Sequence, residues 1–254
     1  MSKHEKVPAT KGQIGELVGV LVGEMDFSKE EAQAIIGNIG ELRREVRAFY
    51  DGLKRNIADT PEHVDDLARW WGNFEKLFGA VPDLSNIVIP RKPEGLGPMR
   101  LIMVPKEIVG WTGNKPLQGT MNALKKHFKC YQYDDDLDEA IVENDRDPRN
   151  GSYALWVRDV READEENANL SVNDLKVTGH LDMTVLEHML LEADYFFEHG
   201  VHLDLQNVTL CAGSRGRDGG VPGGDWCVGR FGIDRYGASS RRRYSNLRSR
   251  TVHL

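Results

Sequence analysis

The sequence predicts an α+β protein, with a helical region at the N-terminus and a mixed, strand-containing remainder. Three observations carry that expectation. Apolar residues recur at helical spacing through roughly the first eighty positions. From Pro82 onward short β-branched runs flanked by Pro and Gly take over. From Asn207 to Leu254 the alphabet itself changes, with no Lys, Glu, Gln or Met and nine Arg in a Gly- and Ser-rich background. The expected division is 1–80, a helical N-terminal region; 81–150, a small α/β extension packed on the next domain; and 151–254, the C-terminal domain.

The helical region is read from its stripes. Ile14, Leu17, Val18, Leu21 and Val22 follow i, i+3, i+4, i+7, i+8. Ser28 with Glu31 is a capping box that opens a helix through Ala32, Ile35 and Ile36. Leu42, Val46, Phe49, Tyr50 and Leu53 continue the period. Pro61 sits at a helix start, ahead of Val64, Leu67, Trp70, Trp71, Phe74, Leu77 and Phe78.

Strands are expected at Ile87–Ile89 and Leu101–Val104, separated by the turn-rich Pro90–Pro98. A helix over 117–128 and a strand over Cys130–Tyr133 follow. Asp134–Val142 is expected to be a short helix with acid at its start, as the helix dipole favours. Tyr153–Val157 is a strand, and Ser171 or Asn173 caps a short helix. The strongest helix runs from about Asp182 to His199, stopped by Gly200. Val208–Cys211, Phe231–Tyr236 and Leu247–Val252 are strand candidates separated by Gly-rich loops.

Charge is unevenly distributed. The 254-residue chain has a formal net charge of −7. Its last 48 residues carry nine Arg against Asp218, Asp225 and Asp234, about +6, so the preceding body carries about −13. An apolar fraction of 40% supports a folded core. The polar start Met1–Lys6 lacks the pattern of a secretory signal, which suggests a cytoplasmic protein, and no run is long enough to span a membrane. Cys130, Cys211 and Cys227 form neither a disulfide framework nor a zinc pattern, so reduced thiols are expected.

No catalytic constellation is evident. Glu187-His188 lacks the second His of a zincin, and His188 reads as a helix-surface residue. His199, His202 and Asp204 cluster around Gly200, where a metal site competes with histidines that answer the helix dipole. Asp134, Asp135, Asp136 and Asp138 lack the spacing of a calcium loop and read as a solvated helix start. Gly213, Gly216, Gly219 and Gly220 do not form a phosphate loop. No cofactor and no metal are therefore expected, and the chain does not read as an enzyme. The serious alternative is nucleic-acid binding by the Arg-rich end, where Arg241, Arg242, Arg243, Tyr244, Arg248 and Arg250 combine charge with an aromatic. Against it stand the acidic body and the lack of Lys. Arg248 and Arg250 would otherwise alternate on one strand face and pair with acids.

The segment Tyr153–Leu254 resembles variable proteins of diversity-generating retroelements with a C-type-lectin-like fold related to the formylglycine-generating enzyme. The likeness rests on Tyr153–Asp159, Glu162–Glu166, Asn169–Ser171 with Asn173–Leu175, Tyr195–Gly200, His202–Asp204, Asn207–Arg215, Asp218-Gly219, Val221-Pro222 and Asn246–Arg250. Ile87–Asp138 is similar to an N-terminal extension of members from candidate-phylum bacteria. The resemblance covers about two-thirds of the chain. It implies a C-type-lectin-like C-terminal domain and a non-catalytic display protein. The 3′ end of such a gene is rewritten by a reverse transcriptase that copies a template with errors at adenines. Random replacement of adenines in Asn-type codons yields Gly, Ser, Asp, Tyr, Arg, Cys, Val and Ala, but never Lys, Glu, Gln, Met or Trp.

On that resemblance the variable, ligand-binding set is Gly224, Asp225, Cys227, Val228, Gly229, Gly232, Asp234, Arg235, Tyr236, Gly237, Ala238, Ser239, Ser240, Arg242, Arg243 and Tyr244. Arg235, Tyr236, Arg243 and Tyr244 are the expected hot spots. Trp156, Trp226, Phe231, Ile233 and Leu247 are the expected scaffold. In Phe231–Tyr236 a period of two buries Phe231 and Ile233 and turns Gly232 and Asp234 outward. The implied partner is a protein or other macromolecule, without membrane insertion. The calcium-dependent sugar motifs of true lectins are absent, so carbohydrate recognition does not follow. The catalytic cysteine pair of the related enzyme has no counterpart.

Overall fold

The computed structural model describes residues 63–84, 87–236 and 245–254. The helices expected before residue 63, and Pro61 at the start of the fourth, lie outside the described residues. So do Gly237–Tyr244. All described residues belong to one of two units into which the chain divides, Asp59–Leu254. Helices and strands are mixed along it, as an α+β chain requires.

In chain order the elements are α1 (Val64–Phe78), β1 (Met99–Val104), α2 (Glu107–Trp111), α3 (Pro116–Leu124), β2 (Cys130–Gln132), α4 (Leu137–Ala140), β3 (Ile141–Asn144) and β4 (Tyr153–Arg158). Then come α5 (Val172–Thr178), β5 (Leu181–Asp182), α6 (Val185–His199), β6 (Val208–Leu210), β7 (Ser214–Gly216), β8 (Val221–Cys227), β9 (Arg230–Tyr236), β10 (Leu247–Ser249) and β11 (Thr251–Val252).

Helix α1 starts with Asp65 and Asp66 and ends at Gly79, whose left-handed φ of 66° lets its N–H close on the Glu75 carbonyl. It buries Leu67, Trp70, Phe74 and Leu77 in the same core as β1, β4 and α6. The Trp70 Nε1–H donates to the Leu101 carbonyl at 2.8 Å. Asp194 of α6, wholly buried, receives Arg100 at 2.7 Å, Arg69 at 2.9 Å and Asn73. Burying that carboxylate is tolerable only because three donors meet it. The 1–80 grouping made on sequence thus crosses this packing, since α1 shares its core with residues beyond 80.

Helix α6 is set by a capping box, Thr184 with Glu187, and ends at Gly200 with φ 67°. A second box, Ser171 with Asp174, opens α5. A five-stranded sheet in the order β10-β6-β8-β9-β2 lies against these helices. Thr209 points to the α6 side, where its hydroxyl meets Asp204. Val208 and Leu210 on either side of it pack with Val172, Leu175, Val221 and Leu247 in a smaller second cluster. The sheet is therefore covered on both faces at its β10–β6 end. Strands β1 and β4 pair antiparallel, and β4 also meets the last residues through paired bonds of Trp156 with His253.

Several local expectations are corrected. Ile87–Ile89 is not a strand: Ile87 N–H turns back to the Leu84 carbonyl, and Pro90 has no donor for a ladder. The helix expected over Asp134–Val142 is only Leu137–Ala140, N-capped by Asp136. The β-branched pair Ile141-Val142 instead enters β3, whose partner β7 is distant in sequence. Val221–Cys227, expected as Gly-rich loop, is strand β8. Leu247–Val252 is two short strands, with different partners. Among the described residues no helix is long and apolar enough to cross a membrane.

Candidate ligand-binding face

The β8–β9 hairpin is the frame of the face. Its register runs from Val221 opposite Tyr236 to Cys227 opposite Arg230, leaving a two-residue loop, Val228-Gly229. Both loop residues have positive φ, 52° and 72°. That is the backbone a type I′ turn demands, because its twist matches the flanking strands. Glycine adopts it freely, whereas a β-branched valine is strained there. Val228 nevertheless occupies it, with its side chain 91% exposed.

Period-two alternation divides the hairpin into two rows. The inward row holds Gly224, Trp226, Phe231 and Ile233. Phe231 and Ile233 are buried, and so are Trp156 and Leu247 elsewhere in the expected scaffold. Trp226 is half-buried and stacks on His202 with ring centroids 3.3 Å apart and planes within 5°. His202 is in turn held by Glu192, with Nδ1 to Oε1 at 2.5 Å. The outward row holds Asp225, Cys227, Gly232 and Asp234. Asp225 and Asp234 are half-buried, and Cys227, Val228, Gly229 and Arg230 are exposed. The Arg230 guanidinium lies 4.3 Å from the centre of the Tyr131 ring on the neighbouring β2.

Two placements correct the expected face. Gly224 is buried, and a Cβ there would come within 2.4 Å of His188 Nδ1. It belongs to the inward row, so it cannot present a side chain to a ligand. Gly232 faces outward as expected, but its backbone is buried because the Asp225 and Asp234 carboxylates flank it. A Cβ at Gly232 meets nothing nearer than 3.4 Å. Burial pushes the Asp225 carboxyl up to about 6, with Asp234 adding to the shift. Asp234 is also raised by burial, which Arg230 partly offsets. Arg235 and Tyr236 lie in β9, and their side chains are outside the described set. Gly237, Ala238, Ser239, Ser240, Arg242, Arg243 and Tyr244 lie outside the described residues.

Beneath the inward row is a polar network that the sequence reading missed. His188, expected on a helix surface, is wholly buried, and its Nε2 lies 2.9 Å from Asp204 Oδ2. The same oxygen accepts from the Thr209 hydroxyl at 2.7 Å. Arg250 donates to Asp204 Oδ1 at 2.7 Å and to the carbonyls of Val160 and Arg161 at 3.0 and 2.9 Å. Burial alone would raise the Asp204 carboxyl, but Arg250, His188 and Thr209 outweigh it and hold the group below its ordinary range. Asp204 and His202 are thus committed to protein partners instead of meeting at a metal. His199 stands apart, in contact with Arg100 at 3.0 Å. Among the described residues no group of three or more His, Cys, Asp or Glu is arranged to hold a metal ion.

The arginines of the tail separate in the same way. Arg250 is 1% exposed and directs four hydrogen bonds into the protein, so it is a core residue and offers nothing to a phosphate backbone. Arg248 and Arg250 do not share a strand, because β10 ends at Ser249. Burial drives the Cys211 thiol well above its ordinary range and Cys130 up to about 12, so neither is a ready thiolate.

No protein-family model matches the chain, and no curated protein or solved structure matches it.

Proposed function

We propose that this chain is a non-catalytic ligand-binding display protein. Residues 151–254 would form a C-type-lectin-like scaffold whose outward row on β8–β9, together with the segment that follows, is diversified by a retroelement. The observation that carries the reading is Val228. It sits in a left-handed turn position with nearly its whole side chain in solvent, where it adds little to packing and strains the backbone. A turn selected for folding uses Asn or Gly at that position. A valine is an outcome of random replacement of adenines in an Asn-type codon.

Three further features support the reading. The outward residues Asp225, Cys227, Val228, Gly229, Gly232 and Asp234 all belong to the alphabet such replacement can write. Trp226, which it cannot write, belongs to the inward row and is stacked on His202. The pairing of Trp156 with His253 ties the first strand of residues 151–254 to the last residues of the chain. The partner is a macromolecular surface, and Asp225, Asp234 and Arg230 supply charge of both signs to meet it.

The test is the DNA beside the gene. The proposal expects a reverse-transcriptase gene and a near-repeat of the 3′ coding end, differing from it only at adenines. A complete flanking sequence containing neither would end the proposal.

A further inference from the structure

A concavity lies away from the β8–β9 hairpin, and the proposed display function does not use it. It is a cleft of about 500 Å³ between the loop at Leu96, the end of β4 at Arg158, the turn at Asp164–Glu166, and the β5–β11 pair with His253. Its apolar wall is made by Leu96, Leu181 and Val252. Its polar groups are unequally satisfied. Arg158 and Glu166 neutralise each other at 2.6 Å. Asp164 is only 3% exposed, and its Oδ2 accepts the Thr251 N–H at 2.7 Å. Its Oδ1 is buried with no hydrogen-bond partner among the described residues.

An orphaned buried carboxylate oxygen costs free energy unless something answers it. Among the described residues no cation does so by contact. Arg250 acts on Asp164 only through space, with four of its five N–H groups directed at Asp204, Thr209 and two carbonyls. Burial lowers the His253 imidazole below its ordinary range, which disfavours its cationic form. The wall therefore combines an apolar surface with one unanswered acceptor.

We propose that this cleft binds an organic cation with an apolar stem, an ammonium or guanidinium group on Asp164 with its methylenes along Leu96, Leu181 and Val252. Only Oδ2 of Asp164 is tied to the backbone. The Thr251 N–H holds Oδ2 and with it the carboxylate plane, which leaves Oδ1 as the acceptor for the ligand. Charge-assisted hydrogen bonding then replaces an unmade one. This site is independent of the display reading, and either can fail without the other.

The test is ligand-observed NMR on the full chain with Nα-acetyl-arginine amide, Nα-acetyl-lysine amide and the uncharged Nα-acetyl-norleucine amide. At least one cationic amide should bind with a Kd on the order of 1 mM, and the norleucine compound at least about tenfold more weakly. Asp164→Asn keeps an acceptor for Thr251 but puts an N–H where the free oxygen was. It should weaken the cation about tenfold or more, with an unchanged fold by circular dichroism. Leu181→Trp, at a position 42% exposed, fills the cleft and should abolish binding even if Asp164→Asn fails to fold. No binding by either cation would overturn the proposal. So would equal binding of the norleucine amide, or full affinity in a folded Asp164→Asn or Leu181→Trp protein.

Discussion

Gly224→Ala is the sharpest test of how the hairpin is divided. The new Cβ would lie 2.4 Å from Nδ1 and 2.5 Å from Cε1 of His188, and 3.1 Å from Ile233 Cδ1. These are ring and methyl atoms in a wholly buried setting, so they have little room to yield. If the strand moves instead, overpacking costs about 1–3 kcal/mol. If His188 turns away, its bond to the buried Asp204 carboxylate is lost, a charge-assisted contact worth about 1.5–3 kcal/mol. Either route predicts a loss of roughly 2–3 kcal/mol. At about 2–4 °C per kcal/mol for a folded unit of this size, Tm should fall by about 4–12 °C. Gly232→Ala is the control, because its Cβ meets nothing nearer than 3.4 Å; it should change Tm by no more than about 2 °C. Thermal melts of the full chain followed by circular dichroism read both. A His188→Ala background should remove much of the Gly224→Ala cost, since the two sites then no longer collide. Equal melting of Gly224→Ala and wild type would refute the inward placement of residue 224.

The other predictions use the same melts. Trp226→Ala removes the ring stacked on His202 and should cost about 2–4 kcal/mol; a change below about 1 kcal/mol would mean that the tryptophan is not an anchor. Val228→Asn places a residue that tolerates positive φ at the turn and should gain about 0.5–1 kcal/mol, whereas a loss would show that the valine packs on something. Arg250→Ala strands the buried Asp204 carboxylate and should cost about 3–5 kcal/mol. Asp225 has a folded-state value raised to about 6. The folded state therefore holds its proton more tightly, and the resulting destabilisation grows as pH rises from about 4 to 6 and is complete above that. Asp225→Asn should accordingly raise Tm at pH 7 and lose its advantage by about pH 4, checked by melts across that range.

Elements with local causes were legible in the sequence. Gly79 and Gly200 end α1 and α6 because each takes a left-handed φ that other residues resist. Ser171 caps α5 through a reciprocal bond with Asp174. Elements with distant causes were not legible. In β8, Pro222 and Gly223-Gly224 signal a loop, yet Gly223 and Gly224 pair with β6 on one side and β9 on the other. Pro222 fits because it serves β6 only as an acceptor, taking the Cys211 N–H at 2.9 Å. His188 was misplaced for a related reason. Every residue of α6 from Val185 to Asp194 is buried, so no polar stripe marks an exposed face. The one available signal was Gly224 itself, a glycine at normal φ inside a strand, which often marks a close approach of another group. On the face, alternation along Phe231–Tyr236 made the buried Phe231 and Ile233 legible, but the Val228-Gly229 turn was not, because β8 read as loop. The collision under Gly224 depends on a helix 36 residues earlier and was not legible either.

The division of the hairpin explains how one surface can change while its fold does not. Each inward side chain or gap is fixed by a specific partner: His188 under Gly224, His202 against Trp226, and the shared core around Phe231 and Ile233. Those partners are tied in turn to Asp204, Glu192 and Arg250, groups that cannot lose a bond cheaply while buried. The outward residues lack this chain of dependence. Cys227, Val228 and Gly229 project from a turn, and the half-exposed Asp225 is less favourable charged than neutral. Changing Asp225 should therefore relieve the fold, whereas changing Gly224, its immediate neighbour, should damage it. Opposite signs at adjacent positions follow from alternation along a strand that rests on a rigid polar floor. A loop that merely tolerates substitution would respond alike at both.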